Sequence, residues 1–332
     1  MGDLMEYKQN AINKLINNYN LNLNSVKNYC LYIINIISKG RYTLAYKKYA
    51  INQINNYLNN SINALKNKLN YDIAAIQKLS YNTITPGKNK NALVVGINYI
   101  GATNQLNGCI NDANSINELL IYNKFQNIKL LTDNTSEKPT KNNIINNFTN
   151  LLINANSGDV VFFSYSGHGY YTKDNNNNES TGYDQMIVAS DLNYIIDDDF
   201  KQIINKNLKS NVTLIALFDS CFSGSVLDLK YQYLDSLNNN NFTENSAETD
   251  TIGNVIMISG CSDIQTSEDA SINGKNQGAL TWSFLETCKS QSNISWKQLL
   301  ISMRDLLKNN GFTQIPQLSS GKFIDINTNI FI

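Results

Sequence analysis

At 332 residues the chain is long enough for one large domain with an extension or for two domains, and its 42% hydrophobic residues can build a sizeable core. The 27 Lys and Arg balance 27 Asp and Glu, so no cationic field argues for nucleic acid as a partner. Five widely spaced cysteines, no Cys-x-x-Cys pair, a single histidine and no apolar run of membrane-spanning length speak against a disulfide framework, a structural zinc site and membrane insertion. The first residues carry no apolar signal region, so a reducing, cytoplasmic setting is expected, with the nucleus left open; a thiol stays available there.

Residues 1–85 read as a helical extension. Ile12, Leu15 and Ile16, then Tyr32, Ile33, Ile36 and Ile37, then Ile51, Ile54, Tyr57 and Leu58 fall at helical spacing. Gly40 and Asn59–Asn60–Ser61 mark breaks, which predicts three helices in a hairpin or small bundle. Gly40, Tyr42, Ala45 and Tyr49 weakly resemble the second helix of microtubule-interacting-and-trafficking modules, which implies a protein partner for this segment, beside a plain regulatory or packing role. The stretch from Thr85 to Asn91 reads as a linker.

From Asn91 onward strands alternate with helices. Ala92–Ile97 is a buried strand, Ile110–Tyr122 a helix and Ile128–Asp133 a second strand. Thr140–Asn154 is a helix with Thr140 as its cap. Val160–Tyr165 is a third strand, Gln185–Asp191 a short fourth, Phe200–Leu208 a helix, Val212–Phe218 a fifth strand and Asn254–Gly260 a sixth. Ala279–Cys288 and Trp296–Leu307 are helices, and Lys322–Asn327 ends the sheet. Asn175–Asn178 and Asn238–Asn241 mark loops. The alternation predicts an α/β fold: a mostly parallel β-sheet of six or more strands sandwiched by α-helices, behind the N-terminal helical extension.

Two chemistry-bearing residues follow buried strands. His168, the only histidine, sits in Ser166–Gly167–His168–Gly169 after the third strand. Cys221 follows the fifth, in Asp219–Ser220–Cys221–Phe222–Ser223–Gly224. If both strands run the same way, both side chains emerge at the carboxyl edge of the sheet, where ligands bind in open α/β folds. An imidazole that takes a thiol proton makes a nucleophile near neutral pH. Glycines beside His168 let a substrate backbone approach, and the amides of Gly169 and Cys221 are placed to hold an oxyanion. A lone histidine is more often structural, and a buried cysteine an inert small hydrophobe. It is their joint placement that points to catalysis.

The segments GINYIGATNQLNGCINDA, FFSYSGHG, GYDQMIVASD, IIDDDF, LIALFDSCFSGSVLDL, MISGCSDIQTSEDA, NQGALT and IPQLSS resemble, in order, the blocks of type I metacaspases, caspase-fold cysteine peptidases. The likeness covers the chain from Asn91 onward. It implies a caspase-like peptidase domain over 91–332, with a large-subunit-like part 91–230, a mobile linker 231–252 and a small-subunit-like part 253–332. It also implies a calcium-activated endopeptidase, made as a zymogen and self-cleaving, usually monomeric, that cuts peptides after Arg or Lys. Residue by residue, an acidic pocket falls on Cys109, Asp112, Ser166 and Asp219, and calcium ligands fall on Asp184, Asp197, Asp198 and Asp228. Two carboxylates in a cleft suit a guanidinium or ammonium, and carboxylate oxygens suit Ca2+. Without the resemblance Asp112 is a first-turn helix carboxylate and the Asp197–Asp199 run a solvated turn. Phe222 stands where the family commonly has His, so His168 has no competitor. No Lys or Arg lies between Tyr231 and Gly274, so self-cleavage of the linker is confined to Lys230 or absent, and Lys78, Lys88 and Lys90 offer better targets. The competing readings are a non-catalytic scaffold on the same fold and a legumain-like peptidase of the same clan.

Overall fold

A computed structural model describes residues 2–78, 88–173, 183–220, 226–233, 242–245, 247–260, 269–272, 275–290 and 293–330. The chain divides into two units, Met1–Ser80 and Tyr81–Ile332.

The first unit is a hairpin of two long helices, not three: α1 (Gly2–Lys39) and α2 (Leu44–Lys78). The turn falls at Gly40, as the sequence indicates, and Lys8 Nζ reaches the carbonyl of Gln77 at 2.8 Å across the antiparallel pair. Asn59–Asn60–Ser61 runs through α2 without a break. Asn and Ser weaken a helix by only about 0.5 kcal/mol each relative to Ala. The apolar stripe Ile51, Ile54, Leu58, Ile62, Leu65, Leu69, Ile73 continues across them, and packing against α1 decides. In α1 the matching stripe runs Ile12, Leu15, Tyr19, Leu23, Val26, Cys30, with Cys30 fully buried.

The second unit begins with β1 (Lys90–Gly96), α3 (Cys109–Tyr122), β2 (Asn127–Thr132), α4 (Lys141–Asn154) and β3 (Val160–Ser166). A small hairpin region follows, β4 (Gly169–Lys173), β5 (Tyr183–Val188) and β6 (Tyr194–Ile196), then α5 (Asp197–Asn207) and β7 (Thr213–Asp219). After these come β8 (Tyr231–Tyr233), β9 (Phe242–Glu244), β10 (Asn254–Ser259), β11 (Asp269–Ile272), β12 (Lys275–Gly278), α6 (Ala279–Ser290), α7 (Trp296–Asn309) and β13 (Gln317–Ser320). The central sheet has eight strands in the order β2-β1-β3-β7-β10-β13-β8-β9. Its first five strands are parallel, and β13, β8 and β9 extend it antiparallel.

Three expectations change. The Gln185–Asp191 strand belongs to a separate three-stranded antiparallel sheet with β4 and β6. The sheet's last strand is Gln317–Ser320, fully buried against β10, whereas Phe323 packs on the Tyr231 and Tyr233 rings beyond it. The helix expected from Phe200 begins at Asp197, because three aspartates suit a helix's first turn. Thr140 does cap α4, its side chain accepting the Asn143 amide hydrogen at 3.3 Å. Among the described residues no helix is long and apolar enough to cross a membrane.

The core positions the site. Phe148 of α4, Phe163 of β3, Phe200 of α5 and Phe218 of β7 form one aromatic cluster, with centroids 4.9 to 5.8 Å apart. Fully burying each ring contributes roughly 1.5–3 kcal/mol. This cluster locks together β3 and β7, the strands that lead to His168 and Cys221.

Candidate active site and acidic cluster

Parallel pairing brings Gly96, Ser166 and Asp219 side by side, since Gly96 registers with Ser166 and Ser166 with Asp219. The carboxyl ends of β1, β3 and β7 thus form one ledge. Gly96 is required there: a Cβ would lie 2.2 Å from the Cys109 carbonyl oxygen and 2.6 Å from Ala113 Cβ. Its absence lets the first turn of α3 press onto the ledge, carrying Cys109 and Asp112.

Ser166 Oγ donates to Asp112 Oδ2 at 2.7 Å, and both residues are buried. The amide of Gly278 donates to both Asp112 oxygens at 3.0 Å. Asp219 Oδ2 accepts two hydrogen bonds from Thr281, from its amide and its hydroxyl, each 2.8 Å. A Cβ on Gly278 would lie 2.1 Å from Asp219 Oδ2 and 3.0 Å from Asp112 Oδ2, so this glycine sits between the two carboxylates. Thr281 lies in the first turn of α6, whose positive end favours negative charge. The four expected pocket residues therefore converge, Cys109 being buried in the same first turn of α3 as Asp112. Gly278 and Thr281 were not singled out from the sequence, although their block, NQGALT, was; nothing local marks which of its residues face an aspartate.

His168 follows β3 by two residues. Its Nε2 lies 2.6 Å from the carbonyl oxygen of Asn104. A carbonyl only accepts, so Nε2 carries the hydrogen and Nδ1 of the neutral ring keeps its lone pair. Asn104 acts through its backbone, which no residue type could announce. Gly167 is glycine for an unexpected reason: a Cβ there would meet Tyr165 Oη at 2.5 Å and Tyr99 Oη at 2.9 Å, so phenols rather than substrate demand it. Gly169 is buried and opens β4. Cys221 and Phe222 lie outside the described residues; Ser220, the residue before Cys221, is fully buried.

The second acidic set lies apart. Asp197, Asp198 and Asp228 each offer a carboxylate oxygen, all within 4.8 Å of one another. Asp197 is wholly buried, its Oδ2 accepting from the Gln185 amide at 2.6 Å and its Oδ1 from the Asp198 amide at 2.8 Å. Burial first, then the charges of Asp228 and Asp184, push its carboxyl up to about 7. Asp184 is buried on β5 next to Gln185, near enough to add its charge but outside the 4.8 Å set. Asp228 stands at φ 43°, a left-handed position that Asp tolerates better than most residues. Asp199 and Asp191, which the resemblance leaves without a role, both turn to Lys141, as an ion pair at 3.1 Å and as acceptor of its amide hydrogen at 3.2 Å. An oxygen-only set of carboxylates, with Asp197 buried and Asp198 and Asp228 half-buried, fits a hard divalent cation.

A family model for the metacaspase, peptidase C14 domain matches residues 90–230, which contain every site residue expected from the sequence but not Gly278 and Thr281. Metacaspase-1 of Schizosaccharomyces pombe is 35% identical over 295 residues, 73% of this chain and 69% of that protein. Metacaspase-1 of Meyerozyma guilliermondii is 35% identical, covering 75% of this chain and 73% of that protein. Metacaspase-2 of Trypanosoma brucei brucei is 36% identical, over 74% and 77%. Among solved structures, a Geobacter sulfurreducens protein superposes with TM-score 0.56 at 22% identity, over 73% of this chain and 98% of its own. Caspase-1 of Spodoptera frugiperda superposes with TM-score 0.50 at 9% identity, over 76% and 95%. These last two likenesses speak to the fold alone. With this degree of identity over this length, the chain belongs to the metacaspase family and is a caspase-fold cysteine endopeptidase.

Proposed function

We propose that the protein is a calcium-activated endopeptidase that cleaves after Arg or Lys, with Cys221 as nucleophile and His168 as base. The observation that carries the specificity is the pair of buried carboxylates, Asp112 and Asp219, on either side of Gly278 at the ledge that leads into Cys221. A substrate's guanidinium or ammonium has two negative partners there, and an acidic side chain meets repulsion.

His168, with its Nε2–H given to the Asn104 carbonyl, takes the thiol proton at Nδ1. The thiolate adds to the scissile carbonyl, and the amides of Gly169 and Cys221 receive the developing oxyanion. The imidazolium then protonates the departing amine, leaving a thioester, and water activated by the same nitrogen releases the acid. Asp197, Asp198 and Asp228, with Asp184 behind them, would hold the cation. Bound there, it would neutralise the cluster and order the segments on either side of the cleft, acting on activation and not on the scissile bond. The N-terminal hairpin serves as a regulatory segment or a partner's dock.

The test is an assay of peptides ending in Arg, Lys, Asp and Asn, with calcium and with chelator, beside Cys221→Ala. Cleavage after Arg and Lys only, calcium-dependent and abolished in the variant, is expected. Cleavage after Asp removes the pocket assignment, preference for Asn favours the legumain-like reading, and equal rates in chelator remove the calcium role.

A further inference from the structure

Tyr99 adopts φ 55°, a backbone conformation that disfavours any residue with a side chain, yet it is almost wholly buried. Its phenol explains the placement. Tyr99 Oη accepts the backbone N–H of His168 at 2.9 Å and donates to the Val188 carbonyl at 2.7 Å. Its ring lies against the imidazole, centroids 4.6 Å apart and planes tilted by 31°. Tyr165, fully buried, brings its Oη within 2.9 Å of Tyr99 Oη and donates to the His168 carbonyl at 2.8 Å. One phenol thus grips the amide hydrogen of His168 and the other its carbonyl oxygen.

The loop that starts at Tyr99 also supplies the third hold on the histidine, since it returns the Asn104 carbonyl to Nε2. That loop is itself tied down. Asp133 accepts from the amides of Asn98 at 2.7 Å and Ile100 at 3.3 Å, and Leu106 N–H bonds the Asn98 carbonyl at 2.8 Å. Burial raises both phenols well above their ordinary range, so each keeps its proton and can accept and donate at once. Gly167 leaves the space that the two Oη atoms fill.

We propose that Tyr99, together with Tyr165, is a positioning residue for the catalytic imidazole: the phenol pair fixes the His168 backbone and one ring face, so that Nε2–H stays committed to Asn104 and Nδ1 remains the basic nitrogen. This rests on the reading of His168 as the general base. A Phe at either position keeps the apolar packing and loses one grip. A merely space-filling role would leave the imidazole unchanged by that substitution.

Because the chain has one histidine, 15N-histidine labelling of the full-length protein yields a single imidazole whose nitrogen shifts report tautomer and titration. The unaltered protein is expected to show the Nε2–H tautomer. Tyr99→Phe is expected to show mixed tautomers, with kcat lowered about 10- to 100-fold and KM held within about twofold. The acid limb of its pH–rate profile should move with the imidazole's own titration. Tyr165→Phe is expected to give the same pattern, and it decides the matter if Tyr99→Phe fails to fold by circular dichroism. A folded variant whose imidazole spectrum matches the unaltered protein overturns the proposal whatever its rate, and so does a loss confined to KM. Full activity in His168→Ala overturns the base assignment instead, so the two failures are distinguishable.

Discussion

The ammonium of Lys201 lies 3.6 Å from Asp228 Oδ2, at the acidic cluster, while also reaching Glu248 Oε1 at 2.7 Å. Lys201 belongs to α5, one turn after Asp197 and Asp198, so the chain already keeps a positive charge where a cation would sit. A divalent ion must repel or displace it. Lys201→Met is therefore expected to bind calcium a few-fold more tightly by titration calorimetry, corresponding to about 0.5–1 kcal/mol for a partly exposed ion pair. In chelator the same variant should melt lower, because Asp228 loses its counter-charge. Unchanged or weaker calcium binding would show that Lys201 does not oppose the ion.

Gly278 separates two carboxylates with no room for a methyl group. Gly278→Ala should lower kcat/KM on Arg and Lys peptides by about 100-fold or more while circular dichroism stays normal, because the new Cβ displaces Asp219. Thr281→Val removes one of two hydrogen bonds to Asp219 and should cost roughly tenfold, on the order of 1.5 kcal/mol for a bond to a charged group. Activity on basic substrates unaltered in Gly278→Ala would place substrate recognition elsewhere.

Lys230, the one basic residue available to cut in the linker, is held. Its ammonium pairs with Asp250 at 3.1 Å and Glu244 at 3.4 Å and lies 5.3 Å from the Tyr231 ring centroid, while its carbonyl accepts the Asn245 amide hydrogen at 2.8 Å. Burial would lower its pKa, but the Asp250 and Tyr231 contacts outweigh burial and raise it. A raised lysine pKa stabilises the fold below the ordinary lysine value and is lost only as pH climbs through the higher one, so the clamp persists at neutral pH. After calcium activation, mass spectrometry should find no new terminus at Tyr231, and Asp250→Asn with Glu244→Gln should create one. Lys90 is no alternative, since it opens β1, paired to β3; Lys78, exposed at the end of α2, and Lys88, exposed just before β1, remain the expected N-terminal cuts.

Burial pushes the Cys288 thiol up to about 12. Its thiolate fraction at pH 7.5 is then on the order of one part in ten thousand or less. Iodoacetamide at that pH should inactivate the enzyme without labelling Cys288, and Cys30 and Cys109, both buried, should resist as well. Labelling of Cys288 at neutral pH in the folded protein would contradict its environment.

Much of the fold was legible because its signals are local. The apolar runs of β1, β3, β7 and β10, the Thr140 cap and the stop at Gly40 can each be read from a few neighbouring residues. Where the reading failed, distant packing decided. Asn59–Asn60–Ser61 stays helical because α1 lies alongside. Tyr183–Val188 stands outside the main sheet because β4 and β6 occupy its two edges. Gln317–Ser320, too polar to read as a core strand, is buried because β10 and β8 flank it.

For the site, the residues alone determined the chemistry on offer: one imidazole, a cysteine in a polar, glycine-bearing turn after a buried strand, aspartates in a recognisable order, and the family they resemble. Tertiary structure decided how those groups meet. Asp112 comes from α3, Ser166 from β3, Asp219 from β7, Gly278 from the end of β12 and Thr281 from α6, and only strand order and register bring the five together. The Asn104 carbonyl and the two phenols around His168 were beyond the reach of residue type. A backbone oxygen has no identity in a sequence, and a tyrosine at a loop start reads the same whether it fills space or holds a histidine. The physical reason is range: periodicity and capping act over a few residues, whereas register between strands far apart in sequence is set by burial of the whole sheet.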